Sequence, residues 1–353
     1  MTAVGFFNPY PTGLGGGEKY LYTILEEAVR TPGVDVTLLT PQEPEPERWR
    51  GLNVHVDRSD FHWRRAGPVS VTPRTRGLDL LVAIANHIPP LSLARRSVAI
   101  IQFPFAELGR PPRSLERRLR LRSYDQVLCY SRFVRDAVVE RLGIADPVVL
   151  PPPVDTEGAA PAAKVPSVVA VGRFFPSADG NNKKHDVLIE AFRRLGAAGW
   201  ELNLAGGVAD DPGSRAHFAE LTRRAEGLPV SFHPNAAPET IARLYATSPL
   251  FWHAAGHGET RPERFEHFGI TTVEAMAWGC VPIVPALGGQ LEIVDDGRNG
   301  RLWRSVDELV EITAELISDP AAVARMREAA VADAARFSRE RFLARVRAEV
   351  LRL

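Results

Sequence analysis

The stretch Glu266-His267-Phe268-Gly269-Ile270-Thr271-Thr272-Val273-Glu274 decides how this chain is read. Two carboxylates flank a bend. Gly269 can take backbone angles that residues with side chains avoid, so Phe268-Gly269 ends an extended loop. A helix is expected from Thr271 to Trp278, capped by Thr271 or Thr272. The first-turn amides of such a helix carry a partial positive charge that suits a phosphate. Carboxylates are repelled by phosphate, so both glutamates are expected to meet the neutral polyol parts of one ligand. Glu274, one turn into the helix, is placed to take two hydrogen bonds from a vicinal diol such as a ribose. Glu266, in the loop, is placed to reach a hexose on the other side of the phosphates.

Outward from this stretch, short apolar β-branched runs alternate with helical patterns. Strands are expected at Ala3–Phe7, Val34–Thr40, Leu78–Ala85, Val98–Phe103, Gln126–Tyr130 and Val148–Leu150, then at Val168–Val171, Glu201–Ala205, Val230–His233, Leu250–His253 and Val281–Val284. Near-continuous apolar strands separated by helices imply parallel sheets covered on both faces, an α/β class. The stiff Pro151-Pro152-Pro153 and the small-residue tract Glu157–Pro166 break the alternation. Two Rossmann-like domains are therefore expected, 1–158 and 159–337, followed by a closing helix at 338–353.

The 43 basic and 43 acidic residues cancel, which makes neither nucleic acid nor an anionic surface an obligatory partner. Cys129 and Cys280 lie in apolar strand-like runs and read as buried thiols in a reducing compartment. The N-terminus lacks the basic and apolar regions of a signal peptide, and no apolar run is long enough to span a bilayer. A cytoplasmic protein is expected. Lysine occurs only at Lys19, Lys164, Lys183 and Lys184, two of them adjacent in a Gly/Asn loop.

With its Ala275-Met276-Ala277-Trp278-Gly279-Cys280-Val281-Pro282 tail, the Glu266–Glu274 segment resembles the signature of retaining glycosyltransferase family 4, the glycosyl transferases group 1. That resemblance implies the GT-B fold: two Rossmann-like domains with parallel sheets facing across a ligand cleft, the last helix returning to the first domain. It implies a retaining, hexosyltransferase-type enzyme taking a nucleoside-diphosphate sugar as co-substrate, without a cofactor. The acceptor would be a hydroxyl on a glycan, a lipid-linked compound or a small molecule. A same-fold sugar phosphorylase and a non-catalytic sugar-nucleotide-binding protein are the alternatives.

Other segments extend the likeness. Val171-Gly172-Arg173, then Lys183-Lys184 at the start of a helix, resembles the family's Gly-Arg…Lys pattern, whose cations hold the donor diphosphate. Lys183 matches better than Lys184, and the loop Phe174–Asn182 is longer than the family's. Arg173 can grip phosphate oxygens in a fork while lysine acts as a point charge. The resemblance thus makes Glu266, Arg173 and Lys183 catalytic, with Lys184, Phe268, Gly269, Ile270, Thr271 and Glu274 binding the donor. Gly15, Gly16 and Gly17, in Gly13-Leu14-Gly15-Gly16-Gly17-Glu18-Lys19, resemble the family's N-terminal phosphate loop. The same glycines mimic a dinucleotide fingerprint, but Asn8–Thr12 makes the turn too long and Asp35 precedes its strand instead of ending it. Gly288 and Gly289 are expected to open another helix.

Three features set the chain apart. Gln102 replaces the family's usual His; it can hydrogen-bond a sugar hydroxyl but cannot act as a base. His253 stands where Ser is usual, as a sugar or acceptor contact or as a buried, hydrogen-bonded His. The Arg-rich Pro111–Arg122, with Leu115, Leu119 and Leu121 interleaved, reads as a solvated helix or one resting peripherally on an anionic membrane. No Asp-x-Asp occurs to hold a metal, and Gly256 and Gly258 argue against a helix presenting His253 and His257 with His267 to zinc. No metal is expected.

Overall fold

The computed structural model describes residues 1–10, 15–86, 88–103, 114–156, 162–176 and 182–352. Gly13, Leu14, part of the Asn8–Thr12 spacer, residues 111–113 of the Arg-rich stretch, part of the 157–166 tract and most of the 174–182 loop lie outside them. Two compact units form, Met1–Pro153 with Arg339–Leu353, and Val154–Ser338.

In the first unit, strands β1 (Thr2–Phe7), β2 (Val34–Thr40), β3 (His62–Arg65), β4 (Leu80–Ala85), β5 (Arg96–Ile101), β6 (Gln126–Cys129) and β7 (Val148–Val149) make one sheet in the order β3-β2-β1-β4-β5-β6-β7. The described pairings are all parallel. Every residue of β4 is buried, as a strand covered on both faces requires. The polar His62-Trp63-Arg64-Arg65 gave no apolar signal because β3 is an edge strand with mostly exposed side chains. Helix α1 (Gly16–Arg30) follows β1, and α2 (Ser114–Arg122) and α3 (Arg132–Leu142) flank β6. The Ser131 hydroxyl caps α3 by accepting from Val134 N at 3.2 Å.

The second unit carries β8 (Ser167–Val171), β9 (Glu201–Gly206), β10 (Val230–Pro234), β11 (Leu250–Trp252), β12 (Val281–Pro285) and β13 (Arg301–Trp303), in the order β10-β9-β8-β11-β12-β13. Its helices are α4 (His185–Leu195), α5 (Pro212–Arg224), α6 (Pro238–Thr247), α7 (Ile270–Ala277), α8 (Val306–Ser318) and α9 (Pro320–Ala334). Trp252, Trp303 and Phe174 are fully buried in its core. Burying such a side chain contributes about 1.5–3 kcal/mol. The strand order reverses between β8 and β11, and open α/β sheets bind ligands outside the carboxyl ends of their strands at such a point. Lys164 anchors the N-terminal approach to β8: its ammonium donates to the carbonyls of Tyr245, Ser248 and Trp278 at 3.1, 3.0 and 2.9 Å, at the C-terminal ends of α6 and α7.

The chain ends in α10 (Arg339–Arg345) and a π turn, Val346–Leu351, in the first unit. Arg96 donates to the carbonyls of Val350 and Glu349 at 2.6 and 2.8 Å, Arg345 donates to Val149 O at 2.9 Å, and Arg339 pairs with buried Glu26. Among the described residues no helix is long and apolar enough to cross a membrane. Cys129 and Cys280 are both buried and unpaired, and burial pushes each thiol up to about 12.

Candidate functional site

At the carboxyl edge of the second sheet, β8 runs into Gly172-Arg173 and β11 into His253. Gly172 lets the chain pass the Lys183 stem, since a Cβ there would lie 2.6 Å from Lys183 Cγ. It also meets Gly206, whose added Cβ would come 1.9 Å from Gly172 O. The glycines thus bring the ends of β8 and β9 together and seat the lysine against them.

Lys183 Nζ lies 2.6 Å from Glu266 Oε2, with both side chains largely covered. His253 Nε2 lies 3.1 Å from the same oxygen, a close approach without hydrogen-bond alignment. Burial would raise the Glu266 carboxyl, but Lys183 and His253 outweigh it and hold it well below the usual carboxylate range. Burial holds His253 below its ordinary pKa despite the Glu266 carboxylate. Burial also lowers His267 to about 4, and burial with neighbouring His217 takes His185 to about 3. The pair therefore sits among neutral imidazoles.

Helix α7 starts beside it. Gly269, with φ of 118°, is its N-cap, and no side chain caps the helix. This corrects the expected Thr271 or Thr272 cap: the left-handed turn at Gly269 moves the helix start to Ile270, and Thr272 Oγ1 is buried without a partner. The uncapped first-turn amides leave an anion site. Phe268 is buried edge-on against Phe337, so its side chain supports the bend. Glu274 Oε2 lies 3.5 Å from the buried Tyr245 hydroxyl, which is also 3.4 Å from Thr271 O.

Arg173 is exposed at the strand end, its guanidinium 4.4 Å from the Phe175 ring centre. Lys184, left-handed at φ 55°, turns away from Glu266 and pairs with Glu259 at 2.6 Å; Arg264 meets the other Glu259 oxygen at 3.2 Å. The structure thus joins Lys183, Glu266, His253 and the α7 start, and seats Lys184 in a neighbouring cluster. Gly288 and Gly289 begin a 3-10 turn, which corrects the expected helix. Added Cβ atoms there would come 2.4 Å from the carbonyl oxygens of Glu266 and His267, and the Gly289 amide is spent on Glu266 O at 2.8 Å. His257 packs on Trp303 and the His267 ring meets Glu263 O. Among the described residues no group of three or more metal-binding side chains converges.

In the first unit Gly15 is the N-cap of α1 and its amide donates to Glu18 Oε2 at 3.0 Å. Gly16 opens the helix. Gly17 makes room for Gln102, since a Cβ there would overlap Gln102 Nε2 at 1.7 Å. The strand-end register Ala85↔Ile101↔Cys129 sets Asn86, Gln102 and Tyr130 in a row at the sheet's carboxyl edge, with Asn86 Oδ1 and the Tyr130 hydroxyl buried and unpartnered.

Glu259 and Tyr245 carried no sequence signal, because each is defined by a contact across the fold. Gln290 is fully buried with both amide atoms unpartnered, 3.0 Å from where a Gly269 Cβ would be.

Residues 157–333 match the family described as glycosyl transferases group 1, and residues 14–158 match Glycosyltransferase Family 4. A glycogen synthase of Xanthomonas oryzae pv. oryzae is 32% identical over 156 residues, 43% of this chain but 28% of the relative's length. The chain therefore matches well under half of that relative. A glycosyltransferase from Rickettsia africae superposes with a TM-score of 0.75 at 16% identity, over 98% of this chain and 96% of that one. The Anabaena protein HepE, solved with UDP and glucose, gives 0.74 at 19% identity, covering 100% of both chains. Likeness at these identities shows the fold, which is GT-B.

Proposed function

Because the chain belongs to the glycosyl transferases group 1, we propose that it moves a sugar from a nucleoside-diphosphate donor to a hydroxyl acceptor with retention of configuration and without a metal or cofactor. The observation that carries this reading is the Lys183–Glu266 pair, 2.6 Å apart at the strand-order switch and beside the uncapped start of α7. The UDP and glucose held by HepE support a sugar-nucleotide donor.

Lys183, Arg173 and the amides of Ile270 and Thr271 meet the diphosphate, whose charge grows as the bond to the sugar breaks. Donors already oriented in a poorly hydrated site stabilise that charge without reorganisation. Of the Gly15–Gly17 loop, Gly16 and Gly17 offer further amides, since Glu18 takes that of Gly15, and Lys184 adds longer-range positive charge. Glu274 takes the ribose diol and Glu266 a hydroxyl of the transferred sugar. Glu266 serves as a binding carboxylate, since Lys183 and His253 both occupy one of its oxygens. The C1–phosphate oxygen bond breaks, C1 bonds to the acceptor oxygen on the same face, and the acceptor proton passes to the departing diphosphate. Gln102 binds a hydroxyl of the sugar or acceptor.

A lipid-linked acceptor fits one surface of α2. Leu115, Arg118, Leu119 and Arg122 are all exposed and share a face, while Glu116 is paired with Arg120. Such a strip suits the interface of an anionic membrane, consistent with a cytoplasmic protein held peripherally on its inner face. Leu119→Glu would abolish sedimentation with phosphatidylglycerol vesicles; wild-type protein left in the supernatant at moderate salt would exclude the contact.

A melting-temperature screen against nucleoside diphosphates and their sugars tests the donor, because a ligand of the folded state raises the midpoint. NMR of the product then reads its anomer. The expected result is one preferred nucleotide, a retained anomer and turnover unchanged by EDTA. Binding without turnover would make this a sugar-nucleotide-binding protein, and phosphate-dependent glycoside cleavage a phosphorylase.

A further inference from the structure

We infer that His253 is a positioning residue, a neutral imidazole that turns the Glu266 carboxylate so that Oε1 is presented to the donor sugar. This rests on the donor-site reading above. His253 follows β11 directly, and its amide donates to Ile283 O of β12 at 3.3 Å, so the sheet fixes its backbone. The ring is 3% exposed, too covered to touch a sugar or an acceptor itself, whereas Glu266 is 17% exposed. The Ala255 amide donates to Nδ1 at 3.3 Å. That bond makes Nδ1 the acceptor and leaves the single proton of the neutral ring on Nε2.

Nε2 lies 3.1 Å from Glu266 Oε2, the oxygen that Lys183 approaches from 2.6 Å. Two nitrogens from different elements thus lie against one oxygen: Lys183, from the residues before α4, donates a hydrogen bond, and the His253 ring, from the end of β11, closes on the same oxygen off the hydrogen-bond axis. Oε1 has no partner among the described residues. A carboxylate pinned through one oxygen has its second oxygen aimed by the same geometry. Lys183 alone would fix the distance but leave the carboxylate plane free to rotate about the Cγ–Cδ bond. The imidazole removes that freedom without adding a second positive charge, leaving the Lys183 charge for the diphosphate.

The test compares two substitutions in the full chain. In His253→Gln the side-chain N–H reaches about as far as Nε2, while in His253→Asn the amide ends near the position of Nδ1. The Asn variant is expected to lose roughly ten- to a hundredfold in kcat, the cost of misplacing a group near the reacting centre. Its donor KM and the melting shift given by the nucleoside diphosphate should stay within about twofold. The Gln variant should regain most of the lost kcat. Wild-type kcat in the Asn variant, or equal loss in a folded Gln variant, would overturn the assignment. An NMR measurement on the wild-type protein needs no variant. A His253 ring protonated at Nε2 and neutral at pH 7 is expected, and a proton on Nδ1 would overturn the inference. Absence of sugar-nucleotide turnover by the wild type would count against the donor reading, and the ring's tautomer would remain separately measurable.

Discussion

Glu266 Oε2 accepts a hydrogen bond from Lys183 at 2.6 Å and has His253 Nε2 against it at 3.1 Å. At the scale of single residues this is what separates it from a solvated carboxylate. The bend and helix start between Glu266 and Glu274 were readable because each requires a particular residue type. Lys183 was preferred to Lys184 as the match to the family's lysine; in the structure Lys184 is the left-handed residue at the helix entry and Lys183 the one beside Glu266. The Lys184–Glu259 pair spans 75 positions, and no local pattern marks a contact made by the fold. Gly17 carries a prediction at this scale. In Gly17→Ala the new methyl displaces the Gln102 amide, a flexible side-chain end, so the melting point should fall by only a few degrees. The kcat/KM for acceptor should drop roughly tenfold, and unchanged acceptor kinetics would show that Gln102 does not meet the substrates.

Among the elements, α7 is uncapped at its start and held at its end. Its C-terminal carbonyl at Trp278 accepts from Lys164, while Gly269 turns the chain into it at φ 118°. The sequence places this helix within one residue, Thr271–Trp278 expected against Ile270–Ala277 found, but assigns the cap to threonine. The error is physical: threonine is a good cap wherever the backbone enters extended, and here it enters left-handed, which glycine alone does easily. Strands β3 and β13 were missed because an edge strand needs little apolar character, whereas the inner strands were found from their continuous apolar runs. Gly269→Ala should cost about 1–3 kcal/mol for the left-handed backbone and press a methyl on Gln290. Thermal melting should show the loss, together with a weaker nucleotide-induced shift. A variant as stable and as tight as the wild type would mean that this turn does not set the amides.

For the whole molecule, the boundary was expected after residue 158, within the stretch from Pro151 to Pro166, and the unit division falls at Pro153. The second unit holds buried His185 and half-buried His267, lowered to about 3 and about 4 mainly by desolvation. Unfolded, each titrates near the usual value of about 6.5. Between those values the unfolded chain binds more protons, so stability is lost as pH falls below about 6.5, by roughly 1.4 kcal/mol per pH unit for each histidine. Melting curves from pH 7 to 4.5 should fall accordingly, and His185→Phe should flatten the slope; a pH-independent midpoint would contradict the burial. The central claim, that Lys183 and Glu266 mark a site of sugar transfer, is tested most directly by the turnover of Glu266→Ala with the preferred sugar nucleotide. Turnover should fall by roughly a hundredfold or more while the nucleoside diphosphate still raises the melting point. Wild-type turnover in that variant would contradict it.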